Sequence, residues 1–182
     1  MAQKATIYKA DVNVANMDSD LYLDQSLTIA QHPSETLQRM MLRIVAWAMH
    51  ANEQLTFTKG LCDEDEPELW QVNYSDEIEV WIDLGLPDEK RLKKASVRAQ
   101  QAVLFAYGEN AASQWWTQQK STAQKYNNLS IYRVSDETMA ALADLVTRTM
   151  QLQFSISDGQ VWLSCGEQSL LLDIETWQEA SH

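Results

Sequence analysis

Glu66-Pro67-Glu68-Leu69-Trp70, a short polar turn, then Ile78-Glu79-Val80-Trp81-Ile82-Asp83-Leu84-Gly85: this stretch decides the fold, and a basic run ending at Arg98 completes it. Residues 78–84 alternate at period two. Ile78, Val80, Ile82 and Leu84 take one face, and Glu79, Trp81 and Asp83 the other, the pattern of a strand. Residues 69–73 form a second predicted strand, with Ser75-Asp76 as its turn. A two-residue loop there sets Tyr74 opposite Glu77, and the register follows by counting outward. Trp70 then faces Trp81, and Glu68 faces Asp83. A four-residue loop over 74–77 gives the same register, and a three-residue loop destroys it. Directly opposed side chains have Cβ atoms roughly 4.5–5.5 Å apart. Two carboxylates that close repel one another when ionised, and they offer oxygen ligands to a divalent cation. Solvated charges at strand ends are the plainer reading of the same two acids.

Gly85 and Pro87 turn the chain, and a helix is expected from about Asp88. Asp88 and Glu89 suit its positive N-terminal end. Leu92, Ala95 and Ala99 share one side, while Arg91, Lys94 and Arg98 share the opposite one. Five of the fourteen Lys and Arg residues lie between Lys90 and Arg98, and five acids lie between Asp63 and Glu68. An acidic loop and a basic helix therefore flank one strand. Pro87-Asp88-Glu89-Lys90 spells Asp-x-Lys literally, yet it sits at a helix start with no second acid in register. It ranks below the Glu68/Asp83 pair.

Outward from this stretch, residues 5–15 and 20–31 read as a hairpin turning at Asn16 to Asp20. A helix is expected from Pro33 and Ser34 to about His50, with Leu37, Met40, Met41, Ile44, Val45 and Ala48 as its apolar stripe. Glu35, Arg39 and Arg43 form an i, i+4 ladder beside it, which suits salt bridging. Short strands follow at 54–58, 101–107 and 129–134. Helices are expected over 110–119, where Trp115-Trp116 should leave one indole partly exposed, and from Ser135 to Arg148. A hairpin about Asp158-Gly159 over 153–165 and a strand at 170–174 end the chain. Strands mixed with helices give an α/β or mixed α+β domain, a central mixed sheet flanked by helices. At 182 residues the chain fits a single domain, 1–182.

The formal net charge is −12. At long range that repels nucleic acid and membrane surfaces, so any nucleic-acid partner needs a local basic groove. The 90–98 helix is the strong candidate. No apolar run approaches the roughly 20 residues of a membrane span, and no signal-peptide core is visible, so a cytoplasmic protein is expected. Cys62 and Cys165 have no metal-like spacing and are expected as free thiols. His32, His50 and His182 show no zinc spacing, and there is no Gly-rich phosphate loop.

The strings Ala5-Thr6-Ile7-Tyr8-Lys9-Ala10, His32-Pro33-Ser34-Glu35, Arg39-Met40-Met41, Glu66-Pro67 with Trp70, Trp81-Ile82-Asp83-Leu84-Gly85, and Pro87-Asp88 with Lys94-Ala95 resemble the YaeQ family of small bacterial proteins. The resemblance runs over nearly the whole chain. It implies a variant of the PD-(D/E)XK restriction-endonuclease-like fold, whose metal-binding acids lie on a β-hairpin. On that pattern Pro67-Glu68 stands for the Pro-Asp element and Asp83 for the second acid. The third position should be Lys and is Gly85. Lys94, from the following helix, is then the replacement lysine. Glu35 is the accessory acid of the first core helix.

Two functions are carried forward. One is a metal-dependent nuclease: Glu68 and Asp83 hold Mg²⁺ or Mn²⁺, Lys94 completes the catalytic set, and Arg91 and Arg98 bind flanking phosphates. The other is a nuclease-like fold that has lost catalysis and serves in binding or regulation. Fold analogy does not choose between them.

Overall fold

The computed structural model describes residues 4–59 and 65–181. Cys62, Asp63 and Glu64 of the acidic loop, and His182, lie outside the described residues. In chain order the elements begin with β1 (Thr6–Asn16), β2 (Leu21–Gln31), α1 (Leu37–Met49), β3 (Leu55–Phe57), β4 (Leu69–Val72) and β5 (Ile78–Leu84). Then come α2 (Glu89–Arg98), β6 (Ala99–Tyr107), α3 (Glu109–Ala123), β7 (Leu129–Val134) and α4 (Asp136–Ala143). The chain closes with β8 (Thr149–Ser157), β9 (Gln160–Cys165), β10 (Gln168–Leu172) and β11 (Ile174–Gln178). The class is mixed α+β, with four helices among the described residues. The strands form two mixed sheets rather than the one central sheet expected.

The chain divides into two compact units, Met1–Glu53 with Glu137–Asp173, and Gln54–Asp136 with Ile174–His182. The first holds the five-stranded sheet β10-β9-β8-β1-β2, antiparallel except where β1 runs beside β8. Alternation builds it: Ala10, Val12, Val14, Leu27, Ile29, Met150, Leu152, Phe154 and Ile156 are buried, and the residues between them are polar. α1 is buried from Met40 to Ala48 on every side, so its apolar stripe widens into a fully enclosed helix. Burying each of its Met, Leu, Ile and Val side chains contributes about 1.5–3 kcal/mol.

Two boundaries in this unit differ from expectation. α1 starts at Leu37, not Pro33, because the Thr36 side chain accepts from the Arg39 amide and caps the helix there. α4 ends at Ala143, not Arg148, because Met150, Leu152, Phe154 and Ile156 alternate with polar residues and extend β8 back to Thr149.

The second unit carries the site. Its sheet order is β11-β7-β6-β5-β4-β3. β3, β4 and β5 form an antiparallel meander, while β5, β6 and β7 are parallel. Parallel neighbours need crossovers, and α2 and α3 supply them. Val103, Leu104, Phe105 and Ala106 of β6 are all buried, as a strand covered on both faces requires. Trp81, Leu92, Ala95, Ala99, Trp115 and Ile131 share one core cluster. Thus the polar-looking face of β5 is in fact covered by α2.

Candidate functional site

The hairpin reaches the expected register by an unexpected route. Trp70 pairs with Trp81 and Leu69 with Ile82, as counted from the sequence. The loop, however, has three residues. The Asn73 amide donates to the Glu77 carbonyl at 3.0 Å, and Val72 pairs with Ile78. Asp76 takes the left-handed conformation at φ 62°, as three-residue hairpin loops require. The Asn73 side chain holds the turn by accepting from the Ser75 and Glu77 amides. Pairing then shifts between Gln71 and Val72, leaving Glu79 as an extra residue on β5. This bulge restores what the loop removes. The expectation that a three-residue loop would destroy the register is therefore corrected: the bulge absorbs the odd residue.

Glu68 and Asp83 both stand on this hairpin and are buried, each 7% exposed. The Glu68 amide donates to the Ile82 carbonyl at 2.9 Å, which ties the start of β4 to the end of β5. The repulsion expected at Asp83 is offset by a cation. Arg91 reaches from the first turns of α2 and grips Asp83 with both arms, Nε to Oδ2 and Nη2 to Oδ1, each at 3.0 Å. The Trp81 indole Nε1 donates to Asp83 Oδ2 at 2.9 Å, because residues two apart on a strand share a face. Bidentate guanidinium–carboxylate pairs are strong and fix orientation.

α2 is placed by its ends. Asp88 caps it, its Oδ1 accepting from the Arg91 amide at 2.8 Å, so the literal Asp-x-Lys string is a helix cap. Asn128 closes the other end by donating to the carbonyls of Ser96 and Ala99. Arg91, Lys94 and Arg98 do share a face. Arg91 and Arg98 both lie over the Trp81 ring, at 5.2 and 5.3 Å from its centroid. Lys94 Nζ pairs with Asp65 Oδ1 at 3.3 Å, and Arg98 Nη1 donates to the Asp65 carbonyl at 2.8 Å. Asp88, Lys90, Arg91 and Lys94 line a surface cavity of about 400 Å³.

Gly85 explains its own departure from the resemblance. It lies one residue beyond β5 with φ 106°, a conformation L side chains avoid. The position is a turn, and a lysine there would be strained. Glu35 belongs to the first unit, where Arg39 and Arg43 take its carboxylate, Arg43 through two nitrogens at 3.0 and 2.6 Å. Trp115 is buried and Trp116 half-buried, stacked on Trp177 at 5.3 Å. Among the described residues, no three His, Cys, Asp or Glu side chains gather into a metal-sized group. None of their helices is long and apolar enough to cross a membrane.

The sequence reading missed the Asp83–Arg91 pair and the part played by Trp81. The signal was present: Trp81 and Asp83 share a face, and a helix carrying arginines on one side follows directly.

The family model described as YaeQ protein matches residues 1–174. The Uncharacterized protein YaeQ of Escherichia coli (strain K12) is 50% identical over 181 residues, covering 100% of both chains, and its counterpart in Salmonella typhi matches at the same identity and coverage. The crystal structure of YaeQ protein from Xanthomonas axonopodis pv. citri superposes with a TM-score of 0.93 at 38% identity, covering 96% of this chain and 98% of that one. That from Pseudomonas syringae gives 0.92 at 33% identity, covering 98% of each.

Proposed function

The chain belongs to the YaeQ family, and from that premise we propose that the Glu68/Asp83 hairpin is the centre of a modified PD-(D/E)XK-like site, a metal-dependent nuclease hydrolysing phosphodiesters. The observation that supports this best is that two buried acids, Glu68 and Asp83, flank the Leu69–Ile82 pair at one end of the hairpin, beside a helix carrying three cations on one face. An oxygen-only donor set suits a hard cation, and Mg²⁺ typically takes one or two carboxylates and keeps several waters. Glu68 and Asp83 would hold Mg²⁺ or Mn²⁺, which when bound activates water and offsets charge at the scissile phosphate. Arg91 would release an Asp83 oxygen and turn to a phosphate oxygen, for which its planar fork is equally suited. Lys94 would stabilise the charge growing on the phosphate oxygens, and Arg98 would hold a flanking phosphate. A nucleic acid would meet the protein through the 90–98 helix.

A second reading is a nuclease-like fold without catalysis, serving in binding or regulation. Two observations favour it: the bidentate grip of Arg91 on Asp83, and the turn conformation of Gly85 where a lysine is expected. A manganese-supported cleavage assay on single- and double-stranded DNA and RNA separates the two. The nuclease reading expects wild-type cleavage that Glu68→Gln abolishes and Lys94→Met slows about 10²–10³-fold. Wild-type protein that binds these substrates and cleaves none supports the second reading.

A further inference from the structure

Three of the five cations of α2 are turned onto the chain's own acidic segment. Arg91 Nη2 donates to the Glu66 carbonyl at 2.7 Å, Arg98 Nη1 to the Asp65 carbonyl at 2.8 Å, and Lys94 Nζ pairs with the Asp65 carboxylate at 3.3 Å. Side chains at i, i+3 and i+7 thus close on two consecutive residues. We propose that Asp65-Glu66 is a built-in strap over the cationic face of α2, which a phosphodiester backbone must displace to bind. This rests on the reading of that face as the nucleic-acid contact.

The chemistry of the contacts matches the displacement. Two carbonyl oxygens and a carboxylate present acceptors of the kind that phosphate oxygens present to Arg and Lys. A phosphate adds a full negative charge, and a bidentate partner for the guanidinium fork, that a neutral carbonyl lacks, so the exchange favours the phosphate for both arginines. The Lys94–Asp65 pair is weak, because the Asp65 side chain is 83% exposed and that of Lys94 30%. The strap is also separable from the acid pair. Its C-terminal side is pinned one residue on, where the Thr58 hydroxyl donates to the Pro67 carbonyl and the Thr58 amide to the Glu68 carbonyl at 3.1 Å. Asp65 and Glu66 can lift while Glu68 stays on β4. The Trp81 ring, over which both Arg91 and Arg98 lie, helps hold those guanidinium groups near the face when the strap leaves. Against a net charge of −12, such a strap restricts binding to ligands that press their charge onto α2 itself.

The test is binding of a fluorescein-labelled oligodeoxythymidylate, followed by anisotropy at low salt in EDTA. Asp65→Asn is expected to tighten binding about fivefold, the scale of one exposed ion pair. Asp144→Asn, the same charge change at an exposed residue outside the strap, should alter it less than about twofold. In a Lys94→Met background, Asp65→Asn should bring no further gain, because the contact it loosens is already gone. An equal gain in both backgrounds would reduce Asp65 to local repulsion and overturn the strap. So would no gain at all, or no binding by either protein. The assay excludes metal, so a protein that binds without ever cleaving overturns the nuclease reading and leaves the strap standing.

Discussion

The sequence led to Asp83 being expected as half of an acid pair, and its place in an ion pair was illegible there. Period-two alternation places it beside Trp81 on one face of β5, but nothing in the spacing says that Arg91 will reach back over eight residues to neutralise it. That contact exists because α2 folds onto the face carrying Asp83, a tertiary fact. It changes what a substitution does. Two bare carboxylates would gain from losing a charge. Here Asp83→Asn leaves a guanidinium facing a neutral amide in a site where the side chains are 23% and 10% exposed. The expected cost is about 1–3 kcal/mol in urea unfolding without metal, less than for a fully buried pair because Arg91 keeps some solvent. Unchanged stability would mean that the pair is held in place without contributing. The same residue-scale logic applies to Gly85, whose identity follows from φ 106° and could be suspected only from its neighbour Pro87.

At the scale of elements, periodicity found nearly every strand and helix, and failed where two periods compete. Residues 144–150 carry apolar spacing compatible with a helix, yet β8 takes Thr149 onward, since pairing with β1 satisfies a row of backbone groups that a frayed helix end cannot. β11 went unseen because Ile174-Glu175-Thr176-Trp177-Gln178 offers little apolar content, and its place beside β7 is fixed by long-range pairing. The hairpin is the instructive case. Its register was read correctly from a wrong loop length, since a bulge compensates and no sequence signal announces bulges. Asp76 is therefore a register residue. Asp76→Val forces a β-branched side chain into the left-handed region and should cost about 1–2 kcal/mol, whereas Asp76→Gly should match or exceed wild type. Thermal unfolding of the two variants checks this.

At the scale of the molecule, composition was informative about what the chain avoids and silent about its division into two units. A net charge of −12 with its densest positive run on one helix is visible by counting. That three of its five cations are spent on Asp83 and on residues 65–66 is not. One titration outside the site bears on the whole protein. His50 ends α1 with its Nε2 buried, and burial lowers its pKa from 6.5 to about 4. Above pH 6.5 the imidazole is neutral in both states and costs nothing. As pH falls below that, the unfolded chain binds a proton that the folded protein refuses, so stability drops. The loss should reach about 2 kcal/mol by pH 5, before most carboxylates titrate, and His50→Leu should flatten that limb in urea unfolding across this range. The central claim is that Glu68 and Asp83 form one cation site. Calorimetric titration of the folded protein with Mn²⁺ tests it most directly. Weak, saturable binding in wild type, lost in both Glu68→Gln and Asp83→Asn, is the predicted result; no binding in wild type, or affinity unchanged in either variant, would contradict it.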